Sequence, residues 1–324
     1  MMRPFITQLL RLATAVTVVG CAVDTATPGE CLFCSTRQET SGVTADGGVL
    51  TGDPAARASE ATACAAWQSV RERCLQSATW TPGTEQCDLG SLPAPTEAAS
   101  VEWLNYFRVM VGLAPVREDP SERTPAQACA VLLERNGQLT HTPPTTWTCA
   151  NAMGRSAAGR SNLSGNPGFP MSPWYAVRGW IDEGRDLSNT LGHRRWLLSP
   201  ELHTVSYGQT GSFACMTLGL GARDPSAPAW VAWPPAGWVP TALIGTIWSF
   251  SKPGLAAAGT RVRVFRNGTE MTVNATMRQA GLGDETISWE VATVAAGSVY
   301  RVQVALAGQR SVEYEVRPTG CSLR

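Results

Sequence analysis

The spacing of apolar residues changes near residue 222, and this change limits how the 324-residue chain can fold. Before it, apolar side chains recur every three or four residues in segments such as WLNYFRVMVGL, a spacing that predicts amphipathic helices. After it, RVRVF, TISWEV and VYRVQVAL alternate with period two, which predicts short strands. Helices followed by a run of strands predict an α+β protein with two packed units.

Start and stop signals define the helices of the first part. The predicted helices cover about 96–111, 124–136 and 172–183. The second is predicted to begin with Thr124 as N-cap and Pro125 at its first position, and to end at Gly137. The third is predicted to end near Gly184, which places Glu183 in its last turn.

A short helix and a hairpin are predicted to complete this first part. The segment GHRRWLLSP predicts a helix that Pro200 stops. HTVSYG and SFACMTLGL, separated by QTG, predict the two strands of a β-hairpin. His203 lies in the first of these strands and is expected on a solvated face, away from any site.

The region beyond residue 222 contains two kinds of sequence. Its first segment is rich in Pro and Trp and has no regular period, which predicts an irregular connection that lays Trp230, Trp233 and Trp238 over a groove. The rest contains five short strands, two of them joined by a turn at Asn267 and Gly268, and predicts a small β-sandwich.

The first 21 residues resemble a bacterial export signal. Arg3 precedes a mostly apolar run, and the segment ends in VVGC, the form of a lipobox in which Cys21 becomes lipid-modified. Residues 22–58 contain few large apolar groups and predict a tether. The chain is therefore expected in the cell envelope, either as a lipoprotein of the outer membrane held by its lipid anchor or as a secreted protein.

Nine further cysteines are expected in an oxidising compartment, where thiols form disulfides. Cys64 and Cys74 share one face of a predicted helix, and Cys87 lies just beyond it, which favours a helical segment stabilised by disulfides. One bridge is predicted between Cys129 and Cys149, and the other pairings stay open. Nine thiols cannot all pair within one chain.

Composition and missing motifs exclude several classes of function. The formal net charge is zero and 16% of residues are charged, which argues against a nucleic-acid partner. The sequence contains no HExxH, no GxSxG and no P-loop motif, so no catalytic residue is assigned from a motif.

Four short segments together resemble the CAP superfamily of cysteine-rich secretory, antigen 5 and pathogenesis-related proteins. The segments, in chain order, are WLNYFRVMVGLAPV, AQACAVLLERNGQLTHTPP, GWIDEG and LGHRR. The resemblance implies an α-β-α sandwich, which here precedes the C-terminal β-sandwich predicted from the strand pattern. The predicted organisation is a lipoprotein signal at 1–21, a tether and Cys-containing helix at 22–95, a CAP domain at 96–222 and the Trp/Pro connection with β-sandwich at 223–324.

The resemblance also implies a cleft lined by two histidines and two acids. Carried over by position, the histidines are His141 and His193, and one acid is Glu183. Ser161 stands in the segment GRSNLSG where family members often place the second acid. His141, Glu183 and His193 could offer zinc three ligands with a fourth position open to water.

Three functions are compatible with this pattern. The favoured hypothesis is a non-enzymatic binding module whose cleft takes a small apolar or lipidic ligand, a divalent metal or a protein partner. A zinc-assisted hydrolase is an alternative, although Ser161 supplies no carboxylate to act as general base. A purely structural envelope protein is the third.

Overall fold

The computed structural model describes residues 59–74, 79–183 and 190–321. The predicted signal peptide, the lipid-modified Cys21 and the tether lie outside these ranges. Among the described residues, no helix combines the length and apolarity needed to cross a bilayer.

The six α-helices of the described residues all precede residue 198. In order they are α1 Glu60–Cys74, α2 Ala94–Met110, α3 Arg123–Asn136, α4 Ala152–Gly159, α5 Pro173–Asp182 and α6 Gly192–Leu197. One predicted start and one predicted end are confirmed: the Ser172 side chain accepts a hydrogen bond from the Tyr175 backbone at the start of α5, and Gly137 ends α3 with a φ of 63°. A positive φ at this position costs glycine little, which is why helices so often end there.

The predicted start of α3 is wrong. Thr124 is not its N-cap, because a 3-10 turn at Pro120–Glu122 runs directly into a helix that begins at Arg123. Asp119 caps the 3-10 turn instead, and its side chain accepts a hydrogen bond from the Ser121 backbone N–H at 3.0 Å.

A four-stranded sheet forms the middle layer of the helical part. Its strands, in spatial order, are β1 Arg117–Glu118, β3 Leu202–Gln209, β4 Phe213–Leu220 and β2 Ser161–Gly165. β3 and β4 are the predicted hairpin, and β2 pairs antiparallel with β4.

The two faces of this sheet bury different hydrophobic groups. On β4, Phe213 and Cys215 join a cluster with α3 and α4, whereas the alternate residues Ala214 and Met216 join a larger cluster with α2 and α5. Successive side chains of a strand point to opposite faces, so the helices cover both sides of the sheet. The predicted α-β-α arrangement within an α+β fold is confirmed.

The C-terminal part consists of two further sheets. One has the order β10 Thr276–Met277, β11 Thr286–Glu290, β7 Ile247–Ser251 and β5 Val231–Trp233. The other has the order β6 Gly237–Pro240, β13 Val312–Thr319, β12 Tyr300–Ala305, β8 Arg261–Arg266 and β9 Thr269–Met271. Trp248 of the first sheet contacts Tyr300 of the second with 5.4 Å between ring centroids, so their apolar faces form one core.

The Trp/Pro-rich segment is not the irregular surface connection that its sequence predicts. It contributes one short strand to each C-terminal sheet, β5 and β6. Trp233 is buried and its ring lies 5.4 Å from that of Phe107 on α2. The segment therefore fills the core shared by the helical and β parts rather than covering a groove.

The disulfides differ from the predicted pairing. Cys129 does not bond Cys149, because its side chain faces the sheet and pairs with Cys215 on β4. Cys149 pairs with Cys87. The remaining bond joins Cys64 on α1 to Cys321, and Cys74 is the one free thiol among the described cysteines.

Candidate functional site

His141 lies in the loop that follows α3 and is held by helix α4. Its Nδ1 is 2.9 Å from the backbone oxygen of Ala158. A carbonyl oxygen can only accept, so Nδ1 carries the proton of this hydrogen bond. In the neutral ring the other nitrogen, Nε2, is then a hydrogen-bond acceptor.

His193 lies at the second position of α6 and is held by Glu183 in the same way. The His193 Nδ1 is 3.2 Å from Oε2 of Glu183, and the carboxylate can only accept from the ring when ionised. The Glu183 side chain is 6% exposed and that of His193 36% exposed. The arrangement therefore presents a partly open imidazole that a buried carboxylate orients.

Glu183 reaches this position through its backbone. It ends α5 in the left-handed region, with a φ of 56°, which turns the chain at the helix end. Its other carboxylate oxygen accepts a hydrogen bond of 2.9 Å from the Arg194 backbone N–H, in the first turn of α6. Glu183 thus joins the end of α5 to the start of α6.

Ser161 occupies the place where the resemblance suggests a second acid, and its hydroxyl is already engaged. Its Oγ donates to the Ala157 oxygen at 2.7 Å, at the end of α4. The neighbouring Asn162 is buried and donates from Nδ2 to the His193 backbone oxygen at 3.1 Å. Ser161 therefore bonds a carbonyl oxygen in the last turn of α4, while Asn162 bonds the backbone of the cleft histidine His193.

One cavity of about 1040 Å³ is lined by all four suggested cleft residues, His141, Ser161, Glu183 and His193. This volume lies at the upper end of the usual range for small-molecule sites, about 300–1,000 Å³. Apolar side chains make up much of its wall: Leu139, Leu163, Tyr175, Trp180, Trp196, Leu218, Leu220 and Leu282. His203 is exposed on β3 and lines a different, smaller cavity.

Zinc binding by the suggested ligands stays a prediction. His141, Glu183 and His193 share the cavity, yet among the described residues no group of three or more His, Cys, Asp or Glu side chains is placed to hold a metal ion. The two carboxylate oxygens of Glu183 bond the His193 ring and the Arg194 backbone. Glu183 acts as an orienting group in this structure.

Sequence reasoning missed three kinds of contributor to the cleft. Asn162 directly follows Ser161, and this position beside the expected acid is the one feature of the sequence that could have identified it. Arg194 and Arg195 were visible in LGHRR, but nothing in the sequence shows that both are buried. Leu282 comes from the C-terminal β part, and no local pattern connects it to the cleft.

Comparison with protein families finds one match. Residues 101–212 match the model described as the CAP, cysteine-rich secretory protein family. The match covers about a third of the chain and includes His141, Ser161, Glu183 and His193. No curated protein matches the chain. The matched segment and the α-β-α layers around it agree, and this part of the chain is a CAP domain.

Proposed function

We propose that the chain is a non-catalytic binding module whose CAP cleft takes a small, largely apolar ligand that carries one hydrogen-bonding group. The observation that carries the proposal is one large cavity that unites an apolar wall with two oriented imidazoles. A few polar groups placed in a mostly apolar pocket are typical of small-molecule sites.

The apolar side of this proposal rests on side chains that are costly to leave in water. The described residues include five exposed large apolar side chains, and three of them, Leu139, Tyr175 and Leu220, line the cleft. The Tyr175 ring also lies 4.4 Å from that of Phe169, another of the five. Exposed apolar groups gathered in one place favour a ligand or interaction site.

The polar side of the proposal rests on His141 and His193. Each donates from Nδ1 to a protein oxygen, so each neutral ring offers Nε2 as an acceptor. A ligand hydroxyl can donate to such a nitrogen, and a ligand carboxylate can accept from a ring that is protonated. A long-chain fatty acid or alcohol therefore has the required chemistry.

The same contacts argue against Glu183 or Ser161 as the general base of the hydrolase alternative. Both Glu183 oxygens are bonded within the protein, and Ser161 offers a hydroxyl that already donates to Ala157. A general base needs a free acceptor within reach of the attacking water. Neither residue has the arrangement of a water-activating base.

The proposal can be tested with cis-parinaric acid, a fluorescent fatty acid. We expect it to bind the purified chain, and we expect Leu220→Gln to weaken binding because a polar amide replaces an apolar side chain in the cleft wall. Met153→Gln is the matched control, since Met153 is 42% exposed, close to the 46% of Leu220, but does not line the cleft.

Three outcomes would contradict the proposal. One is no binding to the wild type, which favours a structural envelope protein. Another is equal weakening by the two substitutions, which indicates binding elsewhere on the surface. The third is turnover of ester or peptide substrates that His193→Ala abolishes, which favours the hydrolase.

We also propose that lipid on Cys21 holds the module at a membrane of the cell envelope. The VVGC sequence supports this proposal, and the three disulfides fit an oxidising, extracytoplasmic compartment. Replacement Cys21→Ser should move the full-length chain from the membrane fraction to the soluble fraction. Retention of the variant in the membrane would overturn the lipid anchor.

A further inference from the structure

Leu282 reaches the CAP cleft from outside the CAP domain. It lies between β10 and β11 in the C-terminal β part, beyond the segment matched by the family, and it lines the cavity with His141 and His193. The cleft wall is therefore built partly by a region that the CAP domain itself does not contain.

The backbone of this loop directs Leu282 inward. Gly281 and Gly283 have φ values of 89° and 76°, in the left-handed region that side-chain-bearing residues rarely adopt. Between them Leu282 is half-buried, whereas Gln279 and Ala280 are exposed. The two glycines allow a tight path that places one apolar side chain against the cleft.

Arg195, two residues after His193, bonds the loop on both sides of Leu282. Its guanidinium donates to the Gln279 oxygen at 2.6 Å and to the Asp284 oxygen at 3.0 Å, on either side of Leu282. It also donates to the Thr190 oxygen at 3.1 Å, just before α6. One buried side chain thus holds the loop and the chain entering α6 in a common position.

Two further contacts fix the loop. Arg223 donates to both carboxylate oxygens of Asp284 at 2.8 Å. Leu282 also lies close to the start of α6, since a Cβ added to Gly192 would lie 3.4 Å from its nearest methyl carbon, an ordinary contact distance. These bonds tie the loop to the rest of the protein on both sides of Leu282.

We infer that Leu282 is a specificity-determining residue of the cleft, through which the C-terminal β part sets the bulk of apolar ligand that the CAP domain accepts. This inference rests on the proposed binding function. Its basis is the position of Leu282 in the cavity wall and the hydrogen bonds that tie its loop to Arg195 and Arg223.

The test compares two fatty acids of different length, cis-parinaric acid and octanoic acid, by titration calorimetry. In Leu282→Trp, we expect the affinity for cis-parinaric acid to fall by about tenfold while that for octanoic acid changes by less than about threefold, because steric exclusion depends on ligand bulk. In Leu282→Ala, the preference should shift towards cis-parinaric acid.

Ala280→Trp is the matched control, because it adds an indole to the same loop at an exposed position that does not line the cleft. An unchanged ratio of the two affinities in Leu282→Trp, with wild-type binding intact and an unchanged melting temperature, overturns the inference alone. Absence of cis-parinaric acid binding to the wild type overturns the proposed function and the inference with it.

Discussion

Glu183 and Arg194 each bond backbone groups at the end of the helix to which the other belongs. The Glu183 carboxylate accepts from the Arg194 backbone N–H at the start of α6, and the Arg194 guanidinium donates to the carbonyl oxygens of Ile181 and Asp182 at the end of α5. Helix ends leave such backbone groups without partners inside the helix. This reciprocal pair positions His193, the residue before Arg194, whose ring also bonds the Glu183 carboxylate.

Removing the Arg194 guanidinium should destabilise the protein. The side chain is buried, burial lowers its pKa to about 10, and it stays protonated at neutral pH. Arg194→Met would leave the Ile181 and Asp182 oxygens and the Ser249 hydroxyl without this donor. We expect a loss of about 3 kcal/mol in the free energy of unfolding, measured with urea.

Arg310→Met is the matched control for this substitution, because Arg310 is exposed. Its effect should stay within about 0.5 kcal/mol, as for most surface changes. Equal effects of the two substitutions would show that the guanidinium contacts of Arg194 contribute little.

The hydrogen bonds of the three histidines predict their tautomers. His141 and His193 bond an acceptor through Nδ1, whereas His203 bonds the Ala222 oxygen through Nε2 at 2.7 Å. Above the pH at which the rings lose their charge, ¹⁵N NMR should show two Nδ1–H rings and one Nε2–H ring.

Glu183→Ala should change this spectrum at one ring. Loss of the carboxylate removes the acceptor that holds the His193 proton on Nδ1, so the His193 signal should move towards a mixture of tautomers. His203 serves as the internal control, since its partner is distant in sequence and untouched. An unaltered His193 spectrum would mean that Glu183 does not orient the ring.

Local sequence patterns predict individual elements well in this protein but not their partners. The turn at Asn267 and Gly268 is confirmed because its residue types suit positive φ values, here 49° and 86°. Strand β5 was missed because three residues beside prolines show no period. The bond between Cys129 and Cys215 was missed because sequence spacing does not show which strand a helix face meets.

The cleft shows the same limit. Its histidines and Glu183 were identified through a family resemblance, and the structure places them in one cavity. Leu282 enters from a region without that resemblance, and its approach depends on Arg195 contacts that span more than 80 residues. Only tertiary structure connects these parts.

The bond between Cys64 and Cys321 should stabilise the chain by about 2–5 kcal/mol, because it closes a loop of 257 residues. The double substitution Cys64→Ser with Cys321→Ser should lower the midpoint of urea unfolding accordingly. Cys74→Ser provides a control for the loss of a cysteine without the loss of a bridge. Equal midpoints for the two variants would contradict the prediction.

The free thiol of Cys74 should be unreactive in the folded protein. Burial, followed by the nearby Glu102 carboxylate, raises the pKa of this thiol well above its usual range, so the reactive thiolate is absent at about pH 8. N-ethylmaleimide should therefore leave Cys74 unmodified in buffer and modify it in concentrated guanidinium chloride, with the adduct located by peptide mass spectrometry. Glu102→Gln should leave the native thiol unreactive, since desolvation is the main cause of the raised pKa. Rapid labelling of the native wild type would show instead that α1 opens readily and exposes the thiol.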